Sequence, residues 1–322
     1  MRHERVRVKV PASTANLGPG FDSLGMSLEL YAYIEMSFAD QTEIELFGDN
    51  MEGVPLDKSN LIYEVAQMVF AEAGEHHPEL YIGMCSDIPL TRGLGSSASA
   101  IVGALVAANA LIGGKLSADR LFQLASQLEK HPDNVGASLF GGIVVAFWDG
   151  ARAEHIRLEP HIDMDVLVAI PSFQLATEKA RHVLPQSVAL SEAVFNLSHS
   201  SLLVAAFATG NLAMIRHAMQ DRLHQPHRAA LIPGMTEILE HAVQHGALGA
   251  ALSGAGPTML ALVDARSGRR SELESFLRDT FAKHQIEVDI RLLRPCLTGV
   301  QVLSVEQSVC TLLELAKGEY AV

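Results

Sequence analysis

Lysine is missing from the middle of the amino-terminal half: none lies between Lys58 and Lys115. That interval holds a glycine turn followed by hydroxyls, IPLTRGLGSSASA at residues 88–100. The phosphate loop G-x-x-x-x-G-K-[ST], which needs a lysine beside its hydroxyl residue, is therefore excluded. Cysteine is also scarce. Cys85, Cys296 and Cys310 are an odd number at distant positions, which excludes a disulfide framework and a zinc ribbon and points to the reducing cytoplasm. Positive charge is in deficit, with 24 Lys and Arg against 37 Asp and Glu. The densest basic stretch, residues 266–270, is interrupted by a serine and a glycine, so neither nucleic acid nor an anionic membrane is an expected partner. Long apolar runs are absent too: the longest, residues 98–112, contains Gly103 and Asn109 and falls short of the ~20 residues of a membrane span. The opening MRHERVRVKV alternates basic and apolar residues and reads as a strand, not a signal peptide.

What is present suits a globular chain of two packed domains: 322 residues, 48% hydrophobic and 19% charged. Val6, Val8 and Val10 predict a half-buried strand ending at Pro11. A glycine-rich connection, PASTANLGPGFDSLG, leads to strands at 27–38 and 43–47. A helix over 60–73 has Asn60 as N-cap and Gly74 as stop, and a strand follows at 80–85. The apolar run beginning near Ser97 reads as a buried helix closed by Gly113 and Gly114, and Ser117 caps another ending near Lys130. Then come the turn HPDN, the segment VGASLFGG and a strand at 143–148. Residues 149–163 read as a domain joint, giving domains at 1–155 and 156–322. Beyond it, a strand at 166–170, two or three helices within 191–245, strands at 247–252 and 258–263, a helix at 267–283 and a strand at 287–293 form a β-α-β-β-α-β order, the ferredoxin-like split pattern. The class is α+β.

Chemistry concentrates in a few segments. Gly93 and Gly95 let backbone N–H groups turn inward, and Ser96 and Ser97 stand where a helix begins, an arrangement that attracts anions. A Gly-capped helix start satisfied by its own serines is the plainer alternative. A hydroxyl there can also ligate Mg²⁺ with a carboxylate, for which Glu129 is the nearest downstream candidate beside its reading as a solvated helix-end charge. PASTANLGPGFDSLG clusters Ser13, Thr14, Asn16 and Asp22 on what reads as a polar loop, functional or structural. LSGAGPTMLAL, residues 252–262, joins two strands through bare backbone at Gly254 and Gly256. Arg181 and Arg228 are isolated arginines beside proline-marked breaks; converging, they would bind a carboxylate. His76, His77, His199, His217 and His224 show no ligand spacing and read as surface or internally satisfied positions.

PASTANLGPGFDSLG, PLTRGLGSSASA and LSGAGPTMLAL, in that order, resemble the three motifs of the GHMP kinase superfamily. EKHPDNVGASLFGG, TEKARHVLP and HRAALIPG are similar to segments of its homoserine kinase branch. The resemblance covers nearly the whole chain and implies an amino-terminal domain like ribosomal protein S5 domain 2 and a ferredoxin-like carboxy-terminal domain. It implies ATP over Pro89, Leu90, Thr91, Arg92, Gly93, Leu94, Gly95, Ser96, Ser97, Ala98 and Ser99, with adenine near residues 56–60. The helix end, backbone amides and Mg²⁺ would take the place of the missing lysine, with Ser97 on the metal, joined either by Glu129 or by ATP alone. For the acceptor, L-homoserine, it implies Asn16 and Asp22 near the amino group and backbone, Arg181 and Arg228 on the carboxylate, and His131 near the hydroxyl, with Thr177 and Gly254 also binding substrate. Asp133 and Asn134 would form the catalytic pair, Asp133 without commitment to a role as base. The resemblance further implies a homodimer. One departure stands out: some homoserine kinases carry a Mg²⁺-binding glutamate ten residues before the aspartate of the DN pair, where this chain has Gln123. That departure keeps a non-catalytic nucleotide and amino-acid sensor among the readings, beside a related kinase of another small alcohol such as mevalonate or a sugar.

Overall fold

The computed structural model of the chain describes residues 5–48, 51, 53–304 and 311–317. Cys310 lies outside the described residues; Cys85 and Cys296 are buried free thiols.

The amino-terminal strand does not stop at Pro11. β1 (Val6–Asn16) pairs antiparallel with β2 (Gly20–Phe38), so most of the segment read as a loop is strand. Pro11 is accommodated at a register shift between Pro11 and Ala12, the irregular kind of position where a strand tolerates proline. The turn falls at residues 17–19 and is entered through Asn16 (φ 72°) and Leu17 (φ 46°), both left-handed. Ser13, Thr14 and Asn16 are buried, although their composition reads as loop. Their polar atoms are satisfied by partners distant in sequence, which allows such residues inside a sheet.

After β3 (Glu43–Phe47), α1 (Leu61–Glu72) begins as expected, with the Asn60 side chain accepting from the N–H of Ile62. β4 (Leu80–Ser86) then leads to α2 (Ser96–Leu111), a helix buried on nearly every side and therefore apolar all round. α3 (Ala118–Glu129) is capped by Ser117 and ends at Lys130, which is left-handed. HPDN is more than a turn: α4 (Asp133–Phe140) starts inside it, with Pro132 as N-cap. β5 (Ile143–Trp148) and β6 (Ala153–Leu158) pair antiparallel, so the stretch read as a joint contributes a strand and residues 155 and 156 both lie within it. With β11 (Gln301–Val302) from the end of the chain, these strands complete a seven-stranded sheet of order β11-β1-β2-β4-β3, with β5 on β2 and β6 on β5.

The second half runs β7 (Met164–Pro171), α5 (Thr177–His182), α6 (Leu190–Thr209), α7 (Leu212–Ala218), α8 (Gln225–Arg228), a 3-10 turn at Ala229–Leu231, α9 (Met235–His241), β8 (Gly249–Leu252), β9 (Met259–Asp264), α10 (Arg270–Ala282) and β10 (Val288–Leu293). Four helices, α6 to α9, occupy the region where two or three were expected. The sheet order β10-β7-β9-β8 is the ferredoxin-like arrangement. The chain then returns: β11 (Gln301–Val302) pairs with β1, and α11 (Leu312–Lys317) lies against β4.

One apolar core lies between the large sheet and α1 and α2, and another lies beyond the small sheet against α10. A third bridges the two sheets, bringing Met26, Leu28 and Leu94 against Val166, Val168, Leu260 and Phe207. Backbone pairs close the joint as well, the N–H of Glu29 donating to Arg294 O and that of Cys296 to Ser27 O.

α4 is set by a glycine in the sheet below it. A Cβ on Gly25 of β2 would sit 2.1 Å from the carbonyl oxygen of Asp133. Gly25→Ala is expected to lower the unfolding free energy by about 1–3 kcal/mol through overpacking and to displace the start of α4. Urea denaturation checks this; an unchanged midpoint would contradict the packing.

Candidate active site

Three glycine-rich segments far apart in sequence meet at one place. The N–H of Ser13 donates to Leu94 O (3.2 Å), that of Gly254 to Ala15 O (3.2 Å), and Ser253 Oγ to Gly93 O (2.5 Å). The approach leaves no room for side chains in the turn. A Cβ at Gly93 would lie 2.3 Å from Ser253 O and one at Gly95 2.1 Å from Ser13 Oγ, and both glycines have positive φ. Beside this junction opens a cavity of about 380 Å³.

One wall is the start of α2. Gly95 has no side chain with which to cap the helix, and the first intrahelical bond to it comes from the N–H of Ser99. The N–H groups of Ser96, Ser97 and Ala98 thus stand in a first turn without intrahelical acceptors, at the positive end of the helix dipole. A line of polar contacts continues from there. Ser97 Oγ donates to Glu129 Oε1 (2.7 Å); Glu129 Oε2 lies 3.4 Å from His131 Nε2; His131 Nδ1 lies 2.9 Å from Asp133 Oδ1. The same Asp133 oxygen accepts from the Asn134 N–H (2.7 Å), and Asn134 Oδ1 accepts from Ser13 Oγ (3.0 Å). Burial disfavours the charged form of His131, but the hydrogen bond and charge of Asp133, with the charge of Glu129, outweigh it and raise the pKa above the ordinary histidine value.

The facing wall is built from both halves of the chain. Arg181 makes a two-pronged pair with Asp22, 2.8 and 3.1 Å. Arg228 is 2% exposed and donates from Nε to Ala180 O (3.1 Å) and from Nη1 to Gly254 O (3.0 Å). Phe21 lies between the two, its ring 5.6 Å from the Arg181 guanidinium and 5.4 Å from that of Arg228. Burial and the neighbouring Arg181 charge push the Arg228 pKa down to about 10, which still leaves it charged at neutral pH. Asn16 ties the wall together, donating to Gly254 O (2.9 Å) and accepting from the N–H of Asp22 (3.0 Å).

Most of the residues singled out in sequence line this cavity: Asn16, Asp22, Glu129, His131, Asp133, Asn134, Thr177, Arg181, Arg228 and Gly254, with residues 90–93 and 95–98 of the loop. Three do not. Leu94 is wholly buried in the core between the sheets, Ser99 turns its hydroxyl back to Ser96 O (2.9 Å), and Pro89 precedes the stretch that reaches the wall. Arg92 lines the cavity, but its guanidinium is committed to the carbonyls of Pro171 (2.7 Å) and Ser172 (2.8 Å). Nη1 and Nη2 thus clamp the loop to the end of β7, while Nε is buried without a hydrogen-bond partner among the described residues. Gln123 is turned away, exchanging two 2.8 Å hydrogen bonds with the backbone of Ala153.

An apolar end of the cavity went unread in sequence. Val54, Pro55, Ile62, Met84 and Ala100 line it together with Asn60, whereas Leu56, within the stretch expected at adenine, is 62% exposed and lies outside the wall. The one available signal was the proline loop before a capped helix: Asn60 Nδ2 donates to Pro55 O (2.7 Å), fixing that loop over the cavity.

The chain matches the family models for the GHMP kinases N terminal domain (residues 60–142) and GHMP kinases C terminal (residues 203–283). It is 46% identical to a homoserine kinase of Deinococcus radiodurans, covering 86% of this chain and 90% of that one, and 42% identical to a homoserine kinase of Desulfitobacterium hafniense, covering 92% and 100%. This chain belongs to the homoserine kinase family of GHMP kinases. The crystal structure of homoserine kinase from Cytophaga hutchinsonii superposes with a TM-score of 0.85 at 26% identity, over 94% of this chain and 98% of that one. The α+β architecture of this homoserine kinase family member is thus the GHMP kinase fold.

The raised His131 pKa makes a pH prediction. A group whose native pKa exceeds its unfolded value adds stability below about pH 6.5, and that contribution is lost as pH climbs through the native value. The stability difference between wild type and His131→Gln should therefore be largest in mild acid and shrink toward alkaline pH, read from urea midpoints across a pH series. A difference independent of pH would remove the carboxylates as the cause.

Proposed function

We propose that the chain transfers the γ-phosphoryl group of ATP to the side-chain hydroxyl of L-homoserine, forming O-phospho-L-homoserine on the route to threonine. The observation that carries this reading is that a bare helix start and a pair of arginines share one cavity, about 380 Å³ in volume. The N–H groups of Ser96, Ser97 and Ala98 hold the phosphates, and the apolar end near Val54, Ile62 and Met84 takes the base. Arg181 and Arg228 receive the amino-acid carboxylate, and Asn16 and Asp22 the amino group. Asp22 and Asp133 bring carboxylate oxygens within 4.8 Å of each other and of a ring nitrogen of His131, and the two carboxylates are the acceptors suited to an ammonium group. Asp133, 1% exposed and fixed by His131 and the Asn134 N–H, orients the acceptor hydroxyl. A loose phosphoryl-transfer transition state demands placement and charge neutralisation more than a strong base.

The donors beside the helix start fit Mg²⁺. Ser97 Oγ and Glu129 Oε1 are hard oxygen ligands 2.7 Å apart, so one ion beside them could meet both. When bound there it would neutralise phosphate charge. We take Glu129 as the metal carboxylate in place of Gln123, whose amide is bonded to the backbone of Ala153; the likeness to homoserine kinases, and not that contact, weighs against a non-catalytic sensor. A carboxylate-binding arginine pair facing acidic acceptors favours an amino acid over a sugar or mevalonate. The buried free thiols are in keeping with a reducing cytoplasm, and among the described residues no helix is long and apolar enough to cross a membrane. A homodimer is the assembly we expect.

An ADP-release assay with L-homoserine, mevalonate and galactose tests the reading, and only homoserine should support substantial turnover. ATP and homoserine binding without ADP release would restore the sensor. Arg228→Ala should weaken homoserine binding by about 2–5 kcal/mol with ATP affinity nearly intact, and Ser97→Ala should act mainly on turnover. Equal damage to both substrates from Arg228→Ala would remove that arginine from the carboxylate site.

A further inference from the structure

His224 shows no ligand spacing in sequence, yet its side chain is wholly buried beside the acceptor wall. It lies four residues before Arg228 on the same short turn of helix, with its ring stacked on Phe21 at 5.1 Å and 29°. Nε2 is 2.8 Å from Gly18 O, and Nδ1 is 3.1 Å from Arg228 Nη1. We propose that His224 is a positioning residue, whose Nδ1 lone pair orients the Arg228 guanidinium toward the cavity while its Nε2–H is anchored on the turn between β1 and β2. This rests on the reading of Arg228 as a carboxylate-binding group.

Both partners dictate the form of the ring. A guanidinium can only donate, so Nδ1 must accept; a carbonyl can only accept, so Nε2 must carry the proton. Protonating Nδ1 would set one N–H against another and add charge beside Arg228. The groups facing the ring agree with a neutral form: burial and the Arg228 charge lower its pKa, overcoming Asp221 and the more distant Asp22, which act the other way. Asp221 approaches Nε2 at 3.6 Å, but its oxygens are already engaged by the N–H groups of Leu223, His224 and Gln225 and by Asn196 Nδ2. Asp221 thus fixes the backbone that carries the ring. With Ala180 O and Gly254 O on the other donors, Arg228 is held at three points, two of them on the segments that carry Arg181 and the third motif. The ring supplies the only side-chain acceptor for Arg228 among the described contacts, and the Phe21 face packs against both groups. His224 links the turn of the first motif to the arginine that faces the substrate.

Two substitutions separate the ring's two nitrogens. His224→Asn places an amide oxygen near the Nδ1 position, and His224→Gln places an amide NH₂ near the Nε2 position. We expect His224→Gln and His224→Ala to raise the homoserine KM about tenfold or more, with the effect concentrated in that parameter and not in kcat or the ATP KM, and His224→Asn to rescue much of it. Rescue by Gln and not by Asn, or a homoserine KM unmoved in all three, overturns the proposal. Nitrogen-15 NMR of histidine-labelled wild-type protein needs no variant to fold: a neutral ring protonated at Nε2 at pH 7 supports it, and protonation at Nδ1 overturns it. Arg228→Ala keeps the two readings apart. If its homoserine KM equals that of wild type, the carboxylate reading falls; if it rises while His224→Gln and His224→Ala match wild type, the positioning role alone falls.

Discussion

The start of α2 is a helix end that its own sequence leaves uncapped. Gly95 cannot carry a capping side chain because Ser13 occupies the space, and Gly93 is bare because the backbone of Ser253 does. The closeness that joins the first and third glycine-rich segments to the second therefore also leaves N–H groups without partners. A buried N–H without an acceptor costs about 1–3 kcal/mol, so these groups must face either water or an anion. They face the cavity. A lysine at either glycine would collide with the segments that make the junction, and the fold supplies charge from elsewhere.

That supply is balanced. Two arginines close to one point repel, and burying a guanidinium is costly unless its donors are met. Arg181 is neutralised by Asp22 in a two-pronged pair, while Arg228 has carbonyls, a neutral imidazole and an aromatic face, with no carboxylate directly on it. Burial, with the Arg181 charge beside it, lowers the Arg228 pKa. On the proposed reading, Arg228 would gain more of the two from an incoming carboxylate, and Asp22, released from Arg181, would be free for an ammonium group. An amino acid would exchange one internal ion pair for two external ones.

The elements that sequence pattern carries were legible where one local rule sufficed: Asn60 and Ser117 as caps, the glycines after α2, the split order of the small sheet. Residues 12–16 failed because their strand is polar. Ser13, Thr14 and Asn16 are buried only because Asn134, Ser253 and Gly254 come to meet them, and no window around position 13 contains those partners. The strand inside residues 149–163 went unread for a related reason: β6 is largely exposed and is held by its pairing to β5. The candidate site was legible in its motif residues, but not in which side chains are spent on structure. Arg92 and Gln123 look available in sequence, yet two nitrogens of Arg92 are tied to carbonyls and the Gln123 amide to the Ala153 backbone; His224 looks incidental and is locked beside Arg228. Spacing locates a segment, whereas hydrogen-bond commitments depend on the assembled fold.

The line from Ser97 through Glu129 and His131 to Asp133 gives the cavity a further property. His131 stands between two carboxylates, one touching the hydroxyl at the helix start and the other at the opening of α4. Its proton is held partly by the charge of Glu129. Asp133 contributes the larger share, through its hydrogen bond and its charge, so the imidazole is held between the two acids and not by either alone. Contacts of 2.7 to 3.4 Å thereby join the start of α2 to that of α4 in one polar line. In a buried site of low effective dielectric the charge of one member bears on the protonation of the next.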